Sequence, residues 1–219
     1  MSRVLSHAVN AEVRHEAEAE PWLMYEKQGY ESQPLLANPI PGLWMNGQKE
    51  VIGDSSCFWS PIVQHLLKFY PDAKFIHLYR RPELVVPSWM GTHLLNDDVQ
   101  DKCKEKIPCA DCRGWRWRPF PDSMTDQFSR VCTYWVRMNE FLYQALIKAD
   151  SKLLGIHDLT SRIDEIWDWL GLRGGQDGAL MDSKILLNSK PTWFPKYKDW
   201  TIEHKSLFEQ IIGATQWKM

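Results

Sequence analysis

The stretch from Lys74 to Pro82 constrains the fold more than any other part of this sequence. The run FIHLY follows Lys74 and is rich in apolar and β-prone residues, which is typical of a short buried strand. Arg80 and Arg81 end this run, and Pro82 supplies the backbone angle that favours the first turn of a helix. A buried strand that leads directly into a helix is the unit from which parallel sheets are built.

The same alternation of short strands and helices runs along the chain. Short strand signals are Val51-Ile52-Gly53 and the stretch from Lys152 to Ile156. Helical spacing of apolar residues predicts helices at Ser2 to Asn10, Ser60 to Tyr70, Met124 to Ala149, Thr160 to Leu170 and Thr201 to Ile212. We therefore predict an α/β fold in which helices cover both faces of a parallel sheet.

Length and composition fit one globular domain over 1–219. The chain has 219 residues, of which 44% are hydrophobic and 25% are charged, so it can bury a sizeable core. Its 26 Lys and Arg against 28 Asp and Glu give a net charge of -2, which argues against nucleic acid as a partner. No apolar run is long enough for a membrane segment, and 97–122 lacks periodicity and is predicted to be an insert or lid.

The cysteines favour a reducing compartment. Their number is five, which is not the pattern of a disulfide framework, and a cytoplasmic location is favoured. Cys103, Cys109 and Cys112 lie close together downstream of His93. A zinc site, a local disulfide and free thiols all fit this spacing, and we assign no metal ligands from it.

Three residues follow predicted strands and are candidates for a ligand site. Parallel sheets bind ligands beyond the carboxyl ends of their strands, where Asp54, Arg80 and His157 are expected. Arg80 could bind a phosphate with its guanidinium, and Ser88, two helical turns further on, could add a hydroxyl. Alternatively, one of the two arginines pairs with Glu83 or Asp54. Asp54 is either a proton acceptor, an N-cap or a partner of an arginine.

Several motifs together resemble the sulfotransferase superfamily, whose members use 3'-phosphoadenosine 5'-phosphosulfate (PAPS) as the sulfuryl donor. The most specific block is Gly53 to Met90, with its carboxylate, Pro-Asp-Ala-Lys, an apolar strand, Arg-x-Pro and a Ser eight residues after the Arg. The stretch from Leu154 to Leu172 is similar to the family's Tyr-Glu-Asp-Leu strand and the helix that ends in Leu-Gly. Trp135 and Asn139 are similar to its Trp-x-x-x-Asn.

The resemblance implies a fold, a reaction and a set of site residues. The fold would be a P-loop-NTPase-like, three-layer sulfotransferase architecture. Arg80 and Ser88 would bind the 3'-phosphate of PAPS, and Asp54 would be the catalytic base. The sulfuryl group would pass to a hydroxyl or amine of a small-molecule or carbohydrate acceptor, which the sequence does not identify. The family occurs in the cytosol and in secretory membranes, so the resemblance leaves the compartment open.

The chain departs from the family at its first signature, a strand and a loop that hold the 5'-phosphosulfate. Here that strand and most of the loop are missing, and Ser2 and Arg3 fall on the loop's last two positions. Lys190 matches the family's second 3'-phosphate loop. The expected cause is truncation at the N-terminus. The alternative is a catalytically inactive nucleotide-binding or scaffold homologue. A phosphoryl-transfer enzyme of the P-loop class is disfavoured because Gly-x-x-x-x-Gly-Lys-Ser/Thr is absent.

Overall fold

The computed structural model of the chain is mixed α/β, so the predicted fold class is confirmed at this level. It describes residues 1–15, 49–55, 59–60, 63–90, 121, 123–179 and 194–215. The described strands are β1 (Ala11–His15), β2 (Val51–Ser55), β3 (Phe75–Tyr79) and β4 (Ser151–Gly155). The described helices are α1 (Ser2–Leu5), α2 (Val63–Phe69), α3 (Pro82–Met90), α4 (Gln127–Leu146), α5 (Ile163–Leu170) and α6 (Ile202–Gly213), with a 3-10 turn at Tyr197–Asp199.

The chain divides into two compact units, each made of two segments. The first unit comprises Met1–Ile76 and Ala149–Asn188, and the second comprises His77–Lys148 and Ser189–Met219. The boundary falls within β3, whose first two residues belong to the first unit. The expectation of one sulfotransferase-like domain over 1–219 stays a prediction.

The first unit contains a short parallel sheet of two strands, of which β2 was predicted and β1 was not. Strand β1 pairs in parallel with β2, in a register that runs from Ala11 opposite Val51 to His15 opposite Ser55. The predicted helix from Ser2 to Asn10 was wrong beyond Leu5, because α1 ends there and the chain then turns into β1. In the same unit the N–H of Phe75, at the start of β3, donates to the carbonyl of Asp150 just before β4, and these two strands are neighbours.

Asn10 connects α1, β1 and the loop after α5. Its side chain is buried and its Nδ2 donates to the carbonyl of Gly171 (2.9 Å) and to Glu50 (3.0 Å). Its Oδ1 accepts the backbone N–H of Arg173 (2.8 Å). A single buried amide thereby bonds to two other segments, the one before β2 and the loop after α5, and its own polar atoms are satisfied.

Helix α5 ends as predicted and begins later than predicted. Its C-terminal residue is followed by Gly171 in the left-handed region (φ 70°), which only glycine adopts easily. Thr160, the first residue of the predicted helix, lies before the observed one. The cap position is Arg162, whose side chain makes no capping hydrogen bond. The chain between Thr160 and Arg162 forms turns instead, with the N–H of Arg162 bonded to the carbonyl of Asp158.

The core of the second unit is built around α4. Asp126 caps this helix by accepting the N–H groups of Phe128 (3.0 Å) and Ser129 (2.9 Å), which explains why it starts three residues after the predicted Met124. Its apolar face packs with α3, α6 and the segment before α6. The buried cluster comprises Val86, Met90, Phe128, Val131, Cys132, Tyr134, Met138, Phe194, Trp200 and Phe208.

Some sequence-based predictions lie outside the described residues. They are the insert at 97–122 apart from Pro121, and the cysteine group of that insert with His93. Within the described ranges, no helix combines the length and the apolar character needed to cross a membrane.

Two left-handed glycines of the first unit provide a matched stability test. A Cβ on Gly171 (φ +70°) would meet nothing within 4 Å, whereas a Cβ on Gly175 (φ +79°) would lie 2.0 Å from the carbonyl oxygen of His7. We expect Gly171→Ala to cost about 1 kcal/mol from backbone strain alone. Gly175→Ala should cost about 2 kcal/mol more, because a backbone atom blocks the added methyl group. Denaturant unfolding measures both, and equal losses would contradict the close approach of His7 to Gly175.

Candidate functional site

Arg80 lies at the junction where β3 ends and α3 begins, as the sequence predicted. Tyr79 is the last residue of the strand, and Pro82 is the first of the helix. The carbonyl of Arg81 accepts the N–H groups of Leu84 and Val85 and so begins the helical hydrogen bonding. The carbonyl of Arg80, one residue earlier, needs a partner from elsewhere in the fold.

Helix α4 supplies that partner through Trp135. The indole Nε1 of Trp135 donates to the carbonyl oxygen of Arg80 at 3.1 Å, and the tryptophan is only 3% exposed. One turn further along α4, Asn139 is also buried, and its Oδ1 lies 3.0 Å from Nε2 of His77 in the middle of β3. The motif Trp-x-x-x-Asn therefore binds β3 at His77 and the residue just after β3, Arg80.

The hydrogen bonds of Asn139 determine the tautomer of His77. The Nδ2 of Asn139 donates to the carbonyl oxygen of Trp135 at 2.6 Å, and a carbonyl can only accept. Its Oδ1 therefore faces His77, so Nε2 of His77 must carry the proton that it donates. Burial lowers the pKa of His77 below its ordinary value, and the hydrogen bond to Asn139 opposes this only in part. The neutral ring is the form that the fold favours.

The two adjacent arginines have different surroundings. The Nη2 of Arg81 binds Oε1 of Glu83 at 3.2 Å, and 61% of the Arg81 side chain is exposed. The alternative that one arginine pairs with Glu83 therefore holds for Arg81. Arg80 is half-buried, and its guanidinium forms no hydrogen bond or ion pair with any residue that the structure describes.

Ser88 lies on the same helix as this junction. It occupies the seventh position of α3 and is half-buried. Its hydroxyl forms no hydrogen bond with the described part of the chain. Arg80 and Ser88 are thus a cation and a hydroxyl in the same unit, both with hydrogen-bonding capacity left for a ligand.

Asp54 lies in the first unit, in the fourth position of β2. Its Oδ2 accepts the indole N–H of Trp59 at 2.7 Å. Its Oδ1 is buried and has no hydrogen-bond partner among the described residues. Among the described residues, the hydrogen-bond partner of the Asp54 carboxylate is therefore Trp59. A carboxylate with one oxygen held and the other left unpaired is chemically suited to accept a proton.

The remaining candidate residues are described incompletely or not at all. Ser2 and Arg3 lie in α1, and their side chains are outside the described part of the chain, as is the whole of Lys190. His157 follows β4 and lies 3.4 Å from the carboxylate of Asp158, with 51% of its side chain exposed. Among the described residues, no three His, Cys, Asp or Glu side chains are grouped as metal ligands.

Comparison with protein-family models finds no match, and comparisons with curated proteins and with solved structures find none either.

His77 and Trp135 complete the junction, although the sequence-based list of site residues did not contain them. His77 lies inside the predicted strand, where a histidine is usually a packing residue, and it is buried. Trp135 and Asn139 drew attention only as a family motif. The spacing of Trp135 and Asn139 could have indicated a shared partner, because residues four apart on a helix lie on the same face.

The lowered pKa of His77 predicts a pH dependence of stability. In the unfolded chain the ring takes up a proton near pH 6.5, but the folded chain resists it, so the unfolded state binds more protons below that pH. The free energy of unfolding should therefore fall as the pH is lowered from 7 to 5. The variant His77→Gln keeps a donor for Asn139 and removes the titration, so its loss over this range should be smaller. Unfolding curves at several pH values test this, and parallel losses would contradict it.

Proposed function

We propose that this chain is a PAPS-dependent sulfotransferase whose donor 3'-phosphate is bound by Arg80 and Ser88. The proposal includes the P-loop-NTPase-like, three-layer architecture that the resemblance implies. The observation that supports it best is the state of Arg80. This arginine stands at a strand–helix junction with its guanidinium unengaged by described residues, while its neighbour Arg81 is held by Glu83.

The charge distribution at the junction favours Arg80 over Arg81 as the anion ligand. Glu83 lies in the first turn of α3 and would repel a phosphate, but Arg81 compensates its charge at 3.2 Å. Arg80 is then left as a cation near the N–H groups at the start of a nine-residue helix. A guanidinium beside helix N-terminal amides is a favourable setting for a phosphate.

The hydroxyl of Ser88 adds an uncharged hydrogen-bond donor to the guanidinium of Arg80 and the amides at the start of α3. It is two turns into α3, and a serine hydroxyl can rotate to donate to a phosphate oxygen. Ser2, Arg3 and Lys190 remain proposed as further phosphate contacts on the resemblance alone.

The proposed reaction moves a sulfuryl group in one displacement. The acceptor's oxygen or nitrogen forms a bond to the sulfur of PAPS as the bond from sulfur to the bridging phosphate oxygen breaks. The electron pair of that bond leaves with 3',5'-diphosphoadenosine, and the acceptor's proton passes to the carboxylate of Asp54. Catalysis of this kind depends on positioning, on compensation of the developing charge and on the base.

Binding of 3',5'-diphosphoadenosine tests the proposed nucleotide site without knowledge of the acceptor. We expect calorimetric titration to show saturable binding to the unchanged chain. Arg80→Ala should weaken it by about 2 kcal/mol, or about 30-fold, as the loss of a charge-assisted hydrogen bond does. Ser88→Ala should weaken it by about 1 kcal/mol, because a neutral donor is lost.

The control for this experiment is Arg137→Ala, which removes the same charge from α4. Arg137 is 61% exposed and pairs with Glu140 at 3.5 Å, so its removal should leave the affinity unchanged. An equal loss in Arg80→Ala and Arg137→Ala would show that net charge alone attracts the nucleotide. A folded chain that does not bind 3',5'-diphosphoadenosine would reject the proposed function.

Turnover separates a sulfotransferase from an inactive nucleotide-binding homologue. With water in the place of the acceptor, we expect slow release of sulfate and 3',5'-diphosphoadenosine from PAPS, measured by chromatography. Asp54→Asn should lower this rate by a factor of roughly 10² to 10⁴ and leave the nucleotide affinity unchanged, because the base is lost and the phosphate ligands are not. Nucleotide binding without any turnover would favour the inactive homologue.

A further inference from the structure

We infer that Trp135 is a positioning residue that holds Arg80 in place for the 3'-phosphate. This inference rests on the proposed function and adds a residue that does not itself contact the nucleotide. The link is the hydrogen bond of 3.1 Å from the indole N–H of Trp135 to the carbonyl oxygen of Arg80.

This bond holds the backbone of Arg80 and so limits the positions that its guanidinium can reach. The carbonyl of Arg80 lies after the last residue of β3 and before the first carbonyl that α3 uses, which is that of Arg81. Among the described hydrogen bonds, the carbonyl oxygen of Arg80 therefore accepts from Trp135 and not from the strand or the helix. Because the Arg80 side chain has no polar partner in the described residues, the position of its backbone decides where the guanidinium can reach.

Trp135 is itself held firmly enough to serve as an anchor. Its ring is 3% exposed, and its carbonyl accepts the side chain of Asn139 at 2.6 Å. Asn139 in turn accepts His77 at 3.0 Å, three residues before Arg80 on the chain. Two hydrogen bonds thus connect α4 to the end of β3, one at His77 and one at Arg80, and they restrict movement of α4 along the strand.

A matched pair of tryptophan variants separates positioning from general stability. Trp200 is also buried in the second unit, and its Nε1 donates to the carbonyl of Pro195 at 2.8 Å. Trp135→Phe and Trp200→Phe therefore each keep an aromatic ring and lose one indole bond to a backbone carbonyl. Only the first variant releases the carbonyl of Arg80.

Calorimetric titration with 3',5'-diphosphoadenosine gives the first readout. We expect Trp135→Phe to weaken binding about tenfold, less than the roughly 10²-fold that a 1 Å misplacement can cost. Trp200→Phe should leave the affinity unchanged. In the Arg80→Ala background, Trp135→Phe should have no further effect, because the group that it positions is gone.

Hydrogen exchange gives a second readout that needs no ligand. The N–H groups of Leu84 and Val85 bind the carbonyl of Arg81 and report on the start of α3. We expect Trp135→Phe to speed their exchange more than Trp200→Phe does, since only the former loosens the junction.

The outcomes distinguish the inference from the proposed function. If the unchanged chain binds the nucleotide and Arg80→Ala weakens binding, the proposed site stands. The inference is then overturned by an unchanged affinity in Trp135→Phe, by an equal loss in the Arg80→Ala background, or by equal exchange in the two tryptophan variants. If the unchanged chain does not bind the nucleotide, both the proposed function and the positioning role are rejected.

Discussion

A buried tryptophan must find an acceptor for its indole N–H, and the local structure of both units depends on this constraint. In the second unit, Trp135 binds the carbonyl of Arg80 and Trp200 binds that of Pro195. In the first unit, the buried Trp167 binds the carbonyl of Gly174, and the half-buried Trp59 binds the carboxylate of Asp54. Three of these acceptors are carbonyls at junctions or loops, where no regular ladder provides a partner. Each ring therefore buries a large apolar area and holds an irregular piece of backbone.

This constraint shows how the backbone of an arginine can be held without an ion pair to its side chain among the described residues. A guanidinium is most easily fixed by a carboxylate, as Arg81 is by Glu83, but that contact uses the charge that an anionic ligand needs. At Arg80 the fixed group is the peptide carbonyl, and the donor that fixes it carries no charge. Within the described part of the chain the Arg80 side chain has no carboxylate partner, and the proposed phosphate site requires an arginine of this kind.

The sequence predicted the regular elements well and their ends less well. The apolar spacing of α4 is strong, because its buried residues repeat with the period of a helix. Strand β1 was not predicted, although apolar and charged side chains alternate from Ala11 to Arg14. The position of Arg80 and Ser88 on one strand–helix unit followed from local sequence alone. The partner of Arg80 did not, because Trp135 is 55 residues away along the chain and only tertiary structure brings them together.

The spacing of Trp135 and Asn139 has a physical reason that a motif alone does not give. A separation of four residues on α4 places both side chains on one face, so they can bind two points of the same strand. Asn139 can accept His77 only while its amide donates to the carbonyl of Trp135, and this fixes the His77 tautomer. Exchange of the two motif residues would place an indole, which can only donate, opposite Nε2 of His77, so the ring would have to take the other tautomer in order to accept. The order of the pair, and not only its spacing, therefore sets the tautomer of His77.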